Sequence, residues 1–246
     1  MINPRYILLL FSLLLIVGCK NDIKPADTNR VTDKTIQPSE QKETTEPPAT
    51  EEEFPEAVEP IKIADDIAAK WVELSEKDGF TVDVRYATTH NFTKKKIYDC
   101  GKCYLHPEAS ENLIKVQQDL QKRFGYSIKL FDCYRPRAYQ QRLWDAVPDP
   151  DYVTPPQKGS MHSRGLAVDL TIVDKDGKEL DMGTPYDFFG EEAHYSYNHS
   201  DAVKRNRWIL KSTMEKYGFK GIRTEWWHFS YRSVSYPLDE WIWPCD

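Results

Sequence analysis

The segment Leu166 to Val173, with the sequence LAVDLTIV, is apolar except for Asp169 and Thr171. A run of this length, rich in β-branched residues, predicts a buried β-strand. On such a strand Asp169 shares one face with Ala167, Thr171 and Val173. An unpaired carboxylate among these neighbours is costly, so Asp169 needs a hydrogen-bonding partner or a cation.

His162 precedes this strand by a few residues, in the small-residue loop GSMHSRG. That loop could fold back over the start of the strand and bring His162 close to Asp169. For the pair alone, a structural hydrogen bond explains the aspartate as well as a shared metal ion does.

A second segment, TEWWHFSY, places Glu225 and His228 three residues apart among large aromatic side chains. On a regular strand these two side chains point to opposite faces, so a bend is needed to bring them together. Two histidines and an aspartate make a three-ligand zinc site with an open position, beside which a glutamate can accept a proton from water. The flanking aromatic residues are also expected to pack in the core.

The remaining pattern predicts helices and strands mixed without a regular βαβ rhythm. Helical spacing of apolar residues ends before Gly125, YSIKLFD alternates like a strand, RPRAYQQRLW begins a second helix, and a third is predicted from Asp201 to Tyr217. The sequence therefore predicts an α+β fold, a single domain with a central antiparallel sheet flanked by helices.

The N-terminal part of the chain has a different character. Residues 1–18 are typical of a signal peptide, with an apolar stretch too short to span a bilayer and the sequence IVGC ending in Cys19. This pattern predicts a bacterial lipoprotein in which Cys19 carries the lipid. Residues 19–60 are rich in Pro, Thr and Glu and predict a disordered acidic tether. The folded domain is then expected over residues 61–246.

Charge excludes one class of partner. The formal net charge of −6 comes almost entirely from the predicted tether, and residues 61–246 are nearly balanced. Such a domain lacks the basic surface that nucleic-acid binding needs.

Four cysteines remain besides Cys19. They favour disulfides in an extracytoplasmic location, and the pairing stays open among three connectivities. These residues are Cys100, Cys103, Cys133 and Cys245.

Taken together, SMHSRGLAVDL and EWWHF resemble the signature of the VanX-type D-alanyl-D-alanine dipeptidases. These belong to a branch of zinc peptidases that includes D,D-carboxypeptidases and Hedgehog-like domains. Four further segments match in the same order: VRYATTHNFT, FDCYRPRA, DMGTPYDFF and RNRWILKSTMEKYGF. The resemblance covers nearly all of residues 61–246.

The resemblance implies one Zn²⁺ per chain and a role for each matching residue. The zinc ligands are His162, Asp169 and His228. Glu225 is implied as the general base, and Arg135 as the residue that stabilises the oxyanion. The residues implied to hold the dipeptide are Tyr86, Ser160 and Asp187, with the Asp187 carboxylate suited to a free ammonium group. Without the resemblance, Asp187 could equally be an ordinary capping or turn residue.

The expected activity is therefore hydrolysis of D-Ala-D-Ala to two molecules of D-alanine in the cell envelope, with the protein bound to a membrane through Cys19. One alternative is a D,D-carboxypeptidase that trims peptidoglycan stem peptides, which needs an open groove and no anchor for an amine. Another is a non-catalytic Hedgehog-like binding module, which needs no proton shuttle. Two features depart from the family: the lipoprotein signal with its tether, and Cys133, whose disulfide could adjust the position of Arg135. The oligomeric state stays open.

Overall fold

The computed structural model of the protein describes residues 71–232 and 234–245. The predicted signal peptide, Cys19, the predicted tether of residues 19–60 and the first ten residues of the predicted domain lie outside the described residues. Within the part of the chain that is described, no helix combines the length and the apolar character needed to cross a membrane.

Three helices and seven strands form the framework. The helices are α1 (Pro107–Phe124), α2 (Arg137–Ala146) and α3 (Asp201–Lys216). The strands are β1 (Val72–Leu74), β2 (Thr81–Val82), β3 (Cys103–Leu105), β4 (Ser127–Asp132), β5 (Ala167–Val173), β6 (Phe219–Ile222) and β7 (Glu225–Tyr231). The two strands and three helices expected from the sequence are all present, and the ends that were predicted lie within one or two residues of the observed ones.

Local sequence explains where the helices begin and end. Helix α1 begins with Pro107 in its first turn and ends at Gly125, which adopts the left-handed conformation with φ 69°. Helix α3 is capped by Ser200, whose hydroxyl oxygen accepts a hydrogen bond from the main-chain N–H of Val203. The apolar faces of α1 and α3 pack against the sheet and against each other.

The central sheet has five strands in the order β2-β4-β5-β7-β6. All of its pairs are antiparallel except β2 with β4, which run parallel because the chain between them crosses over through β3 and α1. Strands β1 and β3 form a separate antiparallel pair. The predicted α+β fold is confirmed, with this parallel pair at one edge as the difference.

Two disulfides settle the pairing that the sequence left open. Cys100 is bonded to Cys245, and Cys103 is bonded to Cys133. The first bond ties the C-terminal segment to the loop before β3. The second ties β3 to the residue that follows β4.

Candidate active site

The centre of the sheet brings three polar residues side by side. Asp169 on β5 is paired with Asp132 at the end of β4 and with His228 on β7. Strand β5 is buried along its whole length, so Asp169 lies in the interior with 3% of its surface exposed. The carboxylate that the sequence placed inside an apolar strand therefore has polar partners on the neighbouring strands.

His162 reaches this row from a short turn just before β5. The turn His162–Arg164 ends at Gly165, which has φ 64°. A Cβ at position 165 would overlap the Trp71 ring, so only glycine fits without displacement. The predicted return of the loop over the start of the strand is thus present.

Three ligand atoms meet at this point. His162 Nε2 is 3.2 Å from His228 Nδ1 and 3.3 Å from Asp169 Oδ1, and the last two atoms are 3.0 Å apart. A tetrahedral zinc site with bonds of about 2.0–2.1 Å has edges of about 3.4 Å between ligand atoms. The triangle is therefore of the right size for one tetrahedral metal ion with a fourth position open, and the two imidazoles and one carboxylate are donors that zinc accepts.

The remaining polar atoms of the three residues are held by outer partners. His162 Nδ1 donates a hydrogen bond to the carbonyl oxygen of Cys133 at 2.7 Å, which leaves the Nε2 lone pair free. His228 Nε2 lies 3.0 Å from the Ser230 hydroxyl, and Asp169 Oδ2 accepts a hydrogen bond from the Tyr186 hydroxyl at 3.1 Å. Such outer contacts orient metal ligands and fix their tautomers.

Electrostatics keep Asp169 ionised. Burial alone would raise the pKa of the Asp169 carboxyl, but His162 and His228 outweigh burial and hold that pKa well below its usual range.

Glu225 lies close to the triangle because β7 is irregular. Gly221 on β6 is paired with Phe229, yet the next residue, Ile222, is paired with Glu225, so three residues of β7 bulge out of the ladder. Through this bulge Glu225 Oε2 comes within 4.0 Å of His228 Nδ1. The bend that the spacing required is present, and burial raises the pKa of the Glu225 carboxyl above its ordinary value.

Arg135 is fixed by a buried network. Its Nε and Nη2 donate to Asp132 Oδ2 at 3.1 and 2.6 Å, and its Nη1 donates to Gln140 Oε1 at 3.1 Å. Its Nε also lies 3.1 Å from the Tyr98 hydroxyl oxygen, which accepts. Because a guanidinium has five N–H groups, two remain for a ligand in the cavity.

Asp187 and Tyr86 form a second polar pair. The Tyr86 hydroxyl donates to Asp187 Oδ2 at 3.0 Å. Asp187 has φ 57°, a left-handed conformation that is uncommon outside glycine and is often found at functional sites. Burial and the nearby Asp169 carboxylate raise the pKa of Asp187 well above its ordinary range. Tyr86 is its hydrogen-bond partner among the described residues, and no cationic side chain within that part of the chain forms an ion pair with it.

One cavity of about 570 Å³ unites these groups. Phe92, Tyr152 and Phe189 also line it, and the Phe189 ring contacts those of Phe92 and Tyr152 at centroid distances of 4.9 and 5.0 Å. All eight site residues expected within the domain line this cavity: Tyr86, Arg135, Ser160, His162, Asp169, Asp187, Glu225 and His228. Cys19, the ninth, lies outside the described residues.

The residues that support the site were not predicted from the sequence. Asp132 ends β4 three residues before Arg135, and that spacing together with the end of the strand could have indicated it. Tyr186, Gln140 and Ser230 stand in segments with no pattern that separates them from core residues. Their roles depend on which atoms they contact, and a single sequence does not encode those contacts locally.

A mixed α+β fold with two histidines, a carboxylate and a nearby glutamate around a cavity is the arrangement of a metallopeptidase. Residues 69–240 match the D-ala-D-ala dipeptidase family of peptidases, and the chain belongs to that family.

Individual relatives agree with this assignment. A D-alanyl-D-alanine dipeptidase of Escherichia coli K12 is 42% identical over 159 residues, which cover 64% of this chain and 82% of the relative. D-alanyl-D-alanine dipeptidases of Enterococcus faecium and of Enterococcus faecalis V583 are 34% and 32% identical, and each match covers 65% of this chain and 89% of the relative.

Proposed function

We propose that this protein hydrolyses the dipeptide D-Ala-D-Ala to two molecules of D-alanine with one zinc ion. The observation that carries the proposal is the single cavity in which the three-atom triangle, Glu225, Arg135 and Asp187 meet. The names of the relatives supply the substrate, because the cavity alone identifies only a small peptide.

His162, Asp169 and His228 would hold the metal. A bound zinc ion supplies Lewis acidity, which lowers the pKa of a coordinated water and polarises a carbonyl group. Outer contacts from Cys133, Tyr186 and Ser230 keep the three ligands in place, as described above.

Glu225 is proposed as the general base. It accepts a proton from the attacking water and then delivers that proton to the leaving amine, so the proton returns to the product. Burial suits this role, because a raised pKa makes a carboxylate a stronger base near neutral pH.

Arg135 is proposed to stabilise the negative charge that develops on the carbonyl oxygen. Its guanidinium is preorganised by Asp132 and Gln140, so little rearrangement is needed when that charge appears. Burial disfavours the Arg135 charge, but Asp132 outweighs burial and raises the pKa of Arg135 above its ordinary value.

Asp187 is proposed to bind the free ammonium group of the dipeptide, while the Tyr86 hydroxyl donates a hydrogen bond to the Asp187 carboxylate. A substrate ammonium would supply the cation that this carboxylate lacks. Ser160 lines the same cavity and could contact the peptide, and its hydroxyl is 3.4 Å from the main-chain N–H of Ser163.

We further propose that the protein acts in the cell envelope, anchored by a lipid on Cys19. The sequence IVGC after an apolar stretch supports this location, and so do two disulfides, which persist in oxidising compartments. A Cys19→Ser protein should leave the membrane fraction and keep its turnover. If Cys19→Ser fractionates with membranes as wild type does, the lipid anchor is wrong.

The decisive comparison is between the free dipeptide and a stem pentapeptide ending in D-Ala-D-Ala. A dipeptidase should cleave the dipeptide and leave the pentapeptide intact, because Asp187 then faces a peptide bond instead of an ammonium group. Preferential release of the terminal D-alanine from the pentapeptide would establish the D,D-carboxypeptidase instead. Binding of either peptide without cleavage, in a zinc-loaded protein, would establish the binding module.

A further inference from the structure

The four residues from Asp132 to Arg135 connect His162 of the ligand triangle to the guanidinium group of Arg135. The Cys133 carbonyl oxygen accepts the hydrogen bond from His162 Nδ1 at 2.7 Å, and the Arg135 main-chain N–H donates to the His162 carbonyl oxygen at 3.1 Å. The Cys133 main-chain N–H donates to Asp132 Oδ1 at 3.0 Å, and Asp132 in turn holds the Arg135 side chain. The position of Cys133 therefore affects both His162 and Arg135.

Strand β3 is joined to this segment by a disulfide and a hydrogen bond. Cys103 on β3 is bonded to Cys133, and the Tyr134 main-chain N–H donates to the Tyr104 carbonyl oxygen at 2.9 Å. Just beyond β3, the His106 main-chain N–H donates to the Gly165 carbonyl oxygen at 2.9 Å. Strand β3 and the residue just after it thus contact both the Cys133 segment and the turn that carries His162, and the disulfide is the covalent link.

We propose that Cys133 is a positioning residue, whose disulfide to Cys103 fixes the carbonyl group that orients His162 for metal binding. The inference rests on the metal site of the proposed function. A carbonyl oxygen can only accept, so its contact keeps the proton on His162 Nδ1 and leaves Nε2 to face Asp169 and His228. Loss of such an outer partner typically weakens metal binding about 10–100-fold.

The bond is closed to solvent. Cys103 is 0% exposed and Cys133 is 2% exposed, so the disulfide lies in the interior of the folded protein. The test therefore uses substitutions instead of a reductant.

The second disulfide provides a matched control. Cys103→Ala/Cys133→Ala opens a loop with a sequence separation of 30, and Cys100→Ala/Cys245→Ala opens one with a separation of 145. In the chain-entropy account the longer loop contributes more to stability, so the control should lose at least as much thermal stability as the test variant. Neither Cys100 nor Cys245 contacts the metal-binding residues through a hydrogen bond in the described part of the chain.

The measurement is the dissociation constant for zinc, obtained by competition with a chromophoric chelator, together with the absorption spectrum of the cobalt-loaded protein. Cys103→Ala/Cys133→Ala keeps the Cys133 carbonyl group but releases it from its covalent link to β3, so we expect zinc to bind up to about 10-fold more weakly, the low end of the range for losing an outer partner, and the cobalt bands to shift. In Cys100→Ala/Cys245→Ala both should stay at wild-type values although the unfolding temperature falls. Equal zinc affinity in all three proteins, or equal losses in the two variants, would overturn the inference.

If the alanine pair does not fold, Cys103→Val/Cys133→Ala fills part of the buried volume and carries the same expectation. If wild type itself binds no zinc, the proposed function fails together with the inference. If wild type binds zinc and the test variant binds it equally well, only the role of Cys133 is wrong.

Discussion

Asp169 and His228 face each other across the β5–β7 pair, with Asp169 Oδ1 3.0 Å from His228 Nδ1. His162 Nε2 lies 3.2 Å from the same His228 atom. Two antiparallel strands and one returning loop thus hold three donors at the spacing of a single metal ion. Catalysis as proposed depends on this triangle, because the other groups are arranged around it.

Removing one of the three proposed ligands should abolish tight metal binding. In His162→Ala we expect zinc to bind at least about 100-fold more weakly. Loss of a ligand should cost more than loss of a residue that only contacts a ligand, which weakens metal binding about 10–100-fold. Metal content after dialysis, measured by atomic emission, checks this. His90→Ala, at an exposed histidine outside the cavity, should keep one zinc per chain. Full zinc content in His162→Ala would show that His162 is not a ligand.

Glu225→Gln should separate metal binding from turnover. The substitution keeps the size of the side chain and removes its basicity, so one zinc should remain while kcat falls by about 10²–10⁴. Steady-state kinetics and metal analysis on the same preparation measure both quantities. Glu215→Gln, on the exposed side of α3, is the control and should retain wild-type kcat. Loss of zinc from Glu225→Gln would make Glu225 a ligand instead of a base.

Asp187 should distinguish free from blocked dipeptides. Wild type is expected to cleave D-Ala-D-Ala and largely to ignore N-acetyl-D-Ala-D-Ala, because the loss of one partner of a desolvated charge pair costs about 2–5 kcal/mol. That corresponds to about 30-fold to several thousand-fold in kcat/KM. In Asp187→Ala and Asp187→Asn, kcat/KM for the free dipeptide should fall and that for the acetylated one should change little. Equal cleavage of the two dipeptides by wild type would show that Asp187 does not bind the ammonium group.

Gly165→Ala should destabilise the protein for two separable reasons. Position 165 has φ 64° and its added Cβ would meet the Trp71 ring, whereas Gly177 has φ 78° with nothing within 4 Å. Gly177→Ala therefore measures the backbone cost alone, about 1 kcal/mol, and Gly165→Ala adds about 1–3 kcal/mol for the overlap. Urea unfolding of both variants gives the difference. Equal losses would mean that the Trp71 ring moves aside without cost.

Local sequence predicted much of the fold and of the site for identifiable reasons. The apolar run that became β5 and the helix ending at Gly125 depend on neighbours along the chain, which periodicity captures. The motifs containing His162 and Glu225 carry the family resemblance, and the site residues within the domain meet in one cavity. The parallel β2–β4 pair and the bulge in β7 depend on contacts between distant segments. For Asp132, the spacing to Arg135 was a local signal, but its pairing with Asp169 on β5 was not.

The most direct test of the account is the release of D-alanine from D-Ala-D-Ala by the metal-loaded protein, followed with a D-amino-acid oxidase assay. The account predicts two molecules of D-alanine for each dipeptide consumed, a rate that rises with zinc until one ion is bound per chain, and loss of that rate when the metal is removed by a chelator. Turnover that persists undiminished in the metal-free protein, or no D-alanine from a protein carrying one zinc per chain, would contradict it.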